Sequence, residues 1–165
     1  MKLEIRAAHL GDAEDICVIA RRSITELCVA DHDNDARVLD AWLGNKTVTS
    51  VQSWISSNPS GVFVAVTDRV VCGVAVILPS GEVVLNYVSP DARFKGASKA
   101  LMTRLEERGA ELGLDRITLV STVTAHRFYR RLGYADLGET VSFAGKPAFK
   151  MEKLLPAHRL FGVAE

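Results

Sequence analysis

The sequence predicts an α/β fold, with a mixed and mostly antiparallel sheet of about seven strands flanked by helices. Short segments that are rich in β-branched residues, or that alternate polar with apolar residues, predict the strands. Segments with apolar residues three and four positions apart predict the helices. The order is strand, two or three helices, three strands, helix, strand, helix and two strands, with one clear β-α-β crossover. At 165 residues the chain is expected to form a single domain, residues 1–165.

The N-terminal part is predicted to be one strand followed by helices. Residues 2–7 alternate polar with apolar side chains, as a half-buried strand does. Asp12 supplies an N-cap for a helix that runs to about Val29, because apolar residues recur on one helical face over this stretch. Two shorter helices are predicted to follow. The first ends at Gly44, and the second stops before residues 58–61.

The C-terminal part is predicted to hold the other six strands. Residues 62–67, 70–78 and 82–88 are rich in β-branched residues and are separated by turns, which predicts an antiparallel meander. A helix over residues 97–112 and a strand over 116–121 complete the crossover. The remaining predicted elements are a helix at 123–132 and a hairpin of residues 134–143 and 148–155.

Charge and hydropathy restrict the partners of the chain. Twenty basic and twenty acidic side chains cancel, so no overall field would draw the protein to nucleic acid or to an anionic membrane. The longest apolar stretch, residues 70–78, is too short to span a bilayer, and the N-terminus lacks the apolar core of a signal peptide. Cys17, Cys28 and Cys72 lack the spacing of a disulfide framework or a zinc site. We therefore expect a cytoplasmic protein with free thiols, no metal, and no nucleic-acid or membrane partner.

The segment after the meander has the features of an anion-binding turn. Ser89-Pro90 ends a strand and a helix follows, so the free amides at the start of that helix are available to an anion. The small residues 96–98 allow close backbone approach, and Arg93, Lys95 and Lys99 add positive charge. The segment has neither a Walker Gly-Lys-Ser/Thr sequence nor a G-x-G-x-x-G turn, which argues against a nucleoside triphosphate or a dinucleotide.

Two motifs identify a family resemblance. Arg93-x-x-Gly96-x-Ser98 resembles the acyl-CoA signature (R/Q)-x-x-G-x-(G/A) of the GNAT superfamily of N-acetyltransferases. The segment from Thr122 to Tyr134 resembles that family's N-x-x-A-x-x-F-Y-x-x-x-G-(F/Y), with Thr in the place of Asn. The motifs lie about thirty residues apart, and the predicted element order is that of the family over nearly the whole chain. Together they imply a GNAT-like domain.

The resemblance implies that acetyl-CoA is the cosubstrate. The diphosphate would lie on the amides of residues 94–99 beside Arg93 and Lys95, and the pantetheine arm would pair along the strand that ends at Tyr87 and Val88. A backbone N–H near Val88 would stabilise the oxyanion that develops on the thioester. The residues expected to bind acetyl-CoA are Tyr87, Val88, Arg93, Phe94, Lys95, Gly96, Ala97, Ser98, Lys99 and Thr122.

Tyr129 matches the tyrosine that protonates the departing CoA thiolate in this family, so it is expected to be the general acid. On spacing alone its phenol could instead pack at the edge of the core beside Phe128, and the basic residues of the turn could be solvated charges. Two turn residues depart from the family pattern. Ser98 replaces Gly or Ala, and Phe94 stands where many members have Gly, so that its ring either flanks the diphosphate or covers the adenine side.

The acceptor site is predicted from two segments. Glu82 and Asn86 are expected to share one face of their strand, and Glu82 is similar to the family's strand-borne catalytic glutamate; a solvent-facing role after a turn is its alternative. An acidic stretch lies between the first two helices, where this family usually builds its acceptor pocket, and would suit a cationic amine. Cys28, Asp31, His32 and Asn86 are expected to bind the acceptor. Helix capping and loop solvation fit the acidic stretch better than a metal site does.

The function these residues predict is acetyl-CoA-dependent N-acetylation of a primary amine on a small molecule or peptide, by direct attack. The alternative from another class is a non-catalytic acyl-CoA-binding or regulatory domain with the same fold. A longer acyl chain, a hydroxyl acceptor and a homodimer are also left open by the sequence.

Overall fold

The computed structural model describes residues 2–143 and 145–157. These residues form a seven-stranded sheet with the strand order β1-β2-β3-β4-β5-β7-β6. Neighbouring strands are antiparallel except β4 and β5, which are parallel. The predicted α/β class and mixed seven-stranded sheet are therefore confirmed. The strands are β1 (Leu3–Ala7), β2 (Val62–Thr67), β3 (Val70–Ile77), β4 (Glu82–Val88), β5 (Arg116–Ser121), β6 (Ala135–Phe143) and β7 (Lys146–Leu154).

In the described part of the chain, six α-helices flank the sheet. They are α1 (Ala13–Leu27), α2 (Val29–His32), α3 (Ala36–Leu43), α4 (Val48–Ser57), α5 (Ala97–Glu111) and α6 (Val123–Arg131). The one-turn α2 occupies part of the acidic stretch that was expected to lie between the first two helices. Asp12 precedes α1, but its side chain makes no capping bond to that helix. Its carboxylate instead accepts the His9 N–H at 2.9 Å and binds the guanidinium of Arg6 at 2.8 and 2.9 Å.

The two faces of the sheet carry separate apolar clusters. The α5-side cluster joins Leu101 and Leu105 of α5 to Ile117 and Leu119 of β5. The α1-side cluster joins residues of α1 and α4, such as Ile16, to the opposite face of β2, β3 and β4. Both clusters bury aliphatic side chains almost completely, which is the main contribution to the stability of such a fold.

Strand β4 contains a bulge at the point where it changes face. Val83 lies opposite Ile77 of β3 and Leu85 lies opposite Val76, so Val84 is an additional residue without a counterpart. Val83 belongs to the α5-side cluster, whereas Leu85 belongs to the α1-side cluster. Strict alternation would place both on the same face. The bulge thus reverses which residues of β4 face each side of the sheet.

This reversal overturns one expectation about the site. Asn86 lies on the α5 face, where it bonds with Ser98 of α5 and with Tyr129 of α6. Glu82 precedes Val83 and points to the other face, because successive residues of a strand point to opposite sides. The prediction that Glu82 and Asn86 share a face is therefore wrong. Because Val83, Val84 and Leu85 are all apolar, the sequence of this strand does not show that it contains an additional residue.

In the described residues, β4 pairs with β5 only through its first two residues, which lie opposite the middle of β5. Glu82 lies opposite Thr118 and Val83 opposite Leu119. Past these two pairs the strands diverge, and a gap opens between them toward the N-terminus of α5. The candidate site lies in this gap.

The three cysteines are free and buried, which confirms the prediction of unpaired thiols. Cys17 lies within α1, Cys28 directly after it and Cys72 on β3. Across the described residues, no helix has both the length and the hydropathy that a membrane span requires.

Candidate active site

A cleft of about 480 Å³ lies between β4 and β5, where the two strands diverge. Its volume is in the range of small-molecule sites. The start of α5 closes one end, α6 forms one wall, and Trp42 of α3 reaches it from the other side. Four residues predicted from sequence do not line it: Glu82, Asp31, His32 and Lys95. The predicted residues that do line it are Cys28, Asn86, Tyr87, Val88, Arg93, Phe94, Gly96, Ala97, Ser98, Lys99, Thr122 and Tyr129.

The turn before α5 leaves the N-terminus of that helix open. Gly96 is the N-cap residue, with φ at +85°, and no side chain caps the first amides. A Cβ atom at Gly96 would meet no protein atom within 4 Å, so the space beside these amides is free. Amides without acceptors at the positive end of a helix dipole favour an anion. This geometry is what the predicted diphosphate site requires.

Arg93 and Phe94 form an exposed pair at the mouth of the cleft. Phe94 has φ at +64° and is 91% exposed, and the guanidinium of Arg93 lies 4.5 Å from its ring centroid. A left-handed conformation costs a residue with a Cβ about 1–2 kcal/mol, and an exposed ring contributes little to folding. Lys95 turns away, because its ammonium donates to the carbonyl of Asp91 at 2.9 Å.

Tyr129 lies at the centre of the cleft wall. Its hydroxyl oxygen accepts a hydrogen bond from the amide nitrogen of Asn86 at 3.3 Å, and the Ser98 hydroxyl donates to the Asn86 carbonyl oxygen at 3.4 Å. Since Asn86 is the donor, the phenolic proton of Tyr129 is available to another group. Burial raises the pKa of Tyr129 to about 12, so the phenol is protonated at neutral pH.

The N-terminus of α6, the helix that carries Tyr129, is capped twice. The Thr122 hydroxyl accepts the N–H of Ala125 at 3.3 Å. The carboxylate of Asp31, from α2, accepts the N–H of Val123 at 2.7 Å, the N–H of Thr124 at 3.3 Å and the Thr124 hydroxyl. Asp31 is buried in this contact. It therefore fixes α6 against α2, and its carboxylate is not turned toward the cleft.

The other two predicted residues of the acidic stretch differ in position. His32 is fully buried: its Nδ1 accepts the N–H of Asn34 at 3.0 Å, which leaves Nε2 to donate to the carbonyl of Ile24 at 3.0 Å. Cys28 reaches the cleft, and burial, assisted by the charge of Asp31, raises the pKa of its thiol to about 12. Cys28 therefore lines the cleft as an uncharged thiol. It is not a nucleophile, because the thiolate form that would attack is not populated at neutral pH.

The backbone of β4 directs an N–H into the gap. Ser89 donates its N–H to the carbonyl of Cys72 on β3 at 2.8 Å. Because successive N–H groups of a strand point to opposite edges, the N–H of Val88 points away from β3 and toward the space that β5 has left. This orientation suits the predicted oxyanion contact.

Comparison with known proteins decides the family. The family model described as an acetyltransferase (GNAT) domain matches residues 29–155. The chain belongs to the GNAT acetyltransferase family. Membership confirms the predicted resemblance, the predicted acyltransferase activity and acetyl-CoA as the predicted cosubstrate.

Solved structures described as acetyltransferases share this fold at low sequence identity. A GCN5-related N-acetyltransferase from Rhodopseudomonas palustris is 22% identical, with a TM-score of 0.83 over 94% of this chain and 97% of that one. The PaiA N-acetyltransferase from Thermoplasma acidophilum, in complex with coenzyme A, is 20% identical, with a TM-score of 0.76 over 93% and 99%. YncA from Salmonella typhimurium, with acetyl-CoA, is 19% identical, with a TM-score of 0.72 over 99% and 100%. A search of curated proteins finds no match.

Sequence reasoning about this GNAT chain missed one residue and misjudged the surroundings of two others. Trp42, which was not assigned to the site, is buried in an apolar cluster and also lines the cleft, where it donates its indole N–H to the Tyr87 hydroxyl at 3.0 Å. Asn86 was assigned to the acceptor, yet its amide joins Ser98 to Tyr129. Asp31 caps a helix that begins ninety-two residues later. These contacts join segments that are far apart in sequence, so they cannot be predicted from a local sequence pattern.

Proposed function

We propose that this GNAT protein transfers the acetyl group of acetyl-CoA to a primary amine of a small molecule or peptide by direct attack, with Tyr129 as general acid. The observation that carries the proposal is the phenol of Tyr129, which is buried in the wall of the gap and held by Asn86 with its proton available. Two structural neighbours contain coenzyme A or acetyl-CoA, which supports the choice of donor.

The donor would bind from the α5 end. Its diphosphate would accept hydrogen bonds from the open amides after Gly96, with Arg93 and Lys99 as counter-charges, since all three line the cleft. Its pantetheine arm would run along the edge of β4 that β5 leaves unpaired. The exposed ring of Phe94 would then lie beside the diphosphate or the adenine.

In the reaction, the amine nitrogen attacks the thioester carbonyl carbon and the carbonyl oxygen becomes an oxyanion. The N–H of Val88 would stabilise that oxyanion. The C–S bond then breaks, its electron pair leaves on sulfur, and the thiolate takes the proton of Tyr129. The amine gives up one proton to a base or to water, and Tyr129 is reprotonated from solvent. The products are an amide and the thiol of CoA.

The proton transfer from Tyr129 needs a thiol whose pKa is close to that of the phenol. An ordinary thiol has a pKa of about 8.5, well below the value of about 12 at Tyr129. Cys28 shows how the cleft acts on sulfur, because burial raises its pKa to about 12. Desolvation in the cleft would raise the pKa of the CoA thiol in the same direction, toward that of Tyr129, which favours transfer in the transition state.

The acceptor amine must lose its proton before or during attack. An amine with a pKa near 10 is neutral in only about one molecule in a thousand at pH 7. Glu82 remains our proposal for the base: it is exposed at the start of β4, on the face opposite Asn86. The amine would thus approach from the face that does not carry Tyr129.

The proposal also includes the compartment in which the protein acts and the class of its acceptor. Three free, buried thiols are typical of a protein from a reducing compartment, which supports action in the cytoplasm. The cancelling charges of the chain favour a small or peptide acceptor over nucleic acid.

The test measures release of the CoA thiol from acetyl-CoA with polyamines, amino acids, aminoglycosides and peptides that have free N-termini. We expect turnover with one of these classes, and a loss of kcat of about 10²–10⁴-fold in Tyr129→Phe, the range for a general acid. Tyr134→Phe is the matched control, because Tyr134 is also buried but its hydroxyl donates to Glu106 outside the cleft.

Acetyl-CoA affinity should be unchanged in both variants. Unchanged turnover in Tyr129→Phe would remove the assignment of the acid. Acetyl-CoA binding without turnover of any amine would favour the non-catalytic acyl-CoA-binding domain.

A further inference from the structure

A second cavity, of about 260 Å³, lies on the α1 face of the sheet. It is lined by the α3–α4 connection, by α4, and by β3 and β4. It shares Val84 and Leu85 with the cleft, so the two spaces adjoin the bulge of β4 from different sides. The residues that line it are Asn45, Lys46, Trp54, Ser57, Asn58, Val76, Leu78, Val84 and Leu85. We refer to it as the bulge cavity.

Lys46 lines the bulge cavity and has no carboxylate partner within the part of the chain that the structure describes. The residue is only 6% exposed, and its ammonium donates to the carbonyl of Trp42 at 3.3 Å and to the side-chain oxygen of Asn45 at 2.5 Å. Both acceptors are neutral. Among the carboxylates of the described residues, none lies within 4.0 Å of this ammonium, whereas Lys146, Lys150 and Lys153 each have one.

A buried cation of this kind is costly. Desolvation disfavours its charged form and lowers the pKa of Lys46. An ammonium has three N–H donors, and the two neutral acceptors use two of them. An anionic oxygen in the bulge cavity would accept from the third and supply the missing charge.

We propose that the bulge cavity binds a carboxylate of the acceptor with Lys46 as its counter-ion, so that the substrate is a small aminocarboxylate. The inference rests on the proposed function, in which the amine reaches the cleft from the face opposite Tyr129. The bulge cavity lies on that face and shares Val84 and Leu85 with the cleft, so a carboxylate beside Lys46 and an amine in the cleft would belong to one molecule. The volume lies below the usual range of about 300–1,000 Å³ for drug-sized ligands, which fits a molecule of amino-acid size.

The charge of Lys46 also discriminates among amines. A polyamine or an aminoglycoside would bring further positive charges toward it, which like-charge repulsion disfavours. For the reacting amine itself, a nearby cation disfavours the ammonium form and so increases the neutral fraction that can attack. Lys46 would therefore select a carboxylate-bearing acceptor and assist its deprotonation.

The experiment compares acceptors that differ only in their carboxylate. Glycine, β-alanine, 4-aminobutyrate and the common α-amino acids are each paired with their primary amide, and kcat/KM is measured for both. Amide and acid have different amine pKa values, so the quantity to compare is the acid-to-amide ratio in the wild type against the same ratio in Lys46→Met. We expect at least one acid to be turned over, and its ratio to fall about ten- to hundredfold in the variant.

Lys153→Met is the control, because Lys153 is partly buried but its charge is paired with Glu106 outside the cavity. Its acid-to-amide ratio should equal that of the wild type. Replacing a buried unpaired charge by Met is expected to leave the fold intact, and Lys46→Gln serves as a second variant. Unchanged acetyl-CoA affinity in all variants shows that the donor site is intact.

Three outcomes separate this inference from the proposed function. Turnover of amides or polyamines with an acid-to-amide ratio that Lys46→Met does not change would overturn the inference and leave the acetyltransferase intact. If no amine is turned over, the proposed function fails, and calorimetric titration of the amino acids into the CoA-saturated protein decides the inference. Binding that is lost in Lys46→Met then supports a carboxylate site, and absence of binding overturns it.

Discussion

Helices α5 and α6 both begin at the cleft, yet one N-terminus is open and the other is closed. Gly96 offers α5 no capping side chain, and a Cβ there would meet no atom within 4 Å. At α6, Thr122 and Asp31 together accept the N–H groups of its first residues. The two ends have the same kind of free amides and the same dipole. What differs is that the protein supplies its own carboxylate to α6 and none to α5.

This difference assigns the two helices their tasks. An anion from solution can bind the amides of α5, but at α6 it would have to displace the buried Asp31. The open end therefore suits the diphosphate of the donor, and the closed end holds Tyr129 in place. A helix N-terminus beside a cleft indicates an anion site only where no side chain already satisfies it.

The largest effect is expected from opening the closed end. Asp31→Ala leaves several donors of Val123 and Thr124 without their buried acceptor, so the free energy of unfolding should fall by about 3 kcal/mol. Urea denaturation measures the change. Asp31→Asn keeps one acceptor oxygen and should lose less.

Acetyl-CoA affinity of the folded Asp31 variants should stay near that of the wild type, while kcat falls because α6 is no longer fixed. If the acetyl-CoA affinity of these variants fell together with their free energy of unfolding, the two helix N-termini would not have separate roles.

The next effect comes from closing the open end. Gly96→Glu places a carboxylate at the start of α5, and we expect acetyl-CoA affinity to fall about a hundredfold by calorimetry, through repulsion of the diphosphate. Gly113→Glu is the matched control: Gly113 follows the other end of α5, has φ at +74°, and has as much space around it as Gly96. Both variants should lose about 1 kcal/mol of stability, but Gly113→Glu should bind acetyl-CoA normally. Equal affinities in the two variants would contradict a donor site at this turn.

A smaller effect tests the surroundings of Tyr129. Its folded-state pKa of about 12 lies above the ordinary value of about 10. The folded state therefore keeps the proton longer, and the stability this group contributes is complete below pH 10 and is lost as pH rises toward 12. Between pH 8 and pH 11 the wild type should lose about 1.4 kcal/mol more than Tyr129→Phe in denaturation experiments. Parallel losses in the two proteins would show that the phenol is not desolvated.

The smallest effect concerns Phe94. Phe94→Gly removes a left-handed residue with a Cβ, so stability should rise by about 0.5–1 kcal/mol. If the ring contacts acetyl-CoA, its affinity should fall about fivefold. Arg69→Gly is the control, because Arg69 has φ at +68° in the turn between β2 and β3, far along the chain from the cleft. A gain in stability without a loss of affinity would assign Phe94 no part in binding.

The sequence predicted the elements of the fold well, because each depends on local periodicity. The seven strands and the long helices α1 and α5 appear close to their predicted bounds. The bulge of β4 was not predicted, since Val83, Val84 and Leu85 are all apolar and alternation cannot be read from them. Because of this one additional residue, Glu82 lies on the face opposite Asn86, whereas the prediction placed both on the same face.

The open turn before α5 was predictable for the same reason, since residues 93–99 are continuous in sequence. The surroundings of Tyr129 were not, because Asn86, Asp31 and Ser98 come from three separate segments. Their side chains are polar residues with many common uses, such as capping and solvation. They come together only through tertiary packing, which a local sequence pattern does not reveal.

The bulge of β4 also bears on how the protein can change over generations. Val83 and Leu85 are two positions apart on one strand, but the bulge turns them to opposite faces of the sheet. Under the proposed function, substitutions at the start of the strand and around Lys46 would therefore alter which amine is accepted without changing the donor contacts expected near Val88.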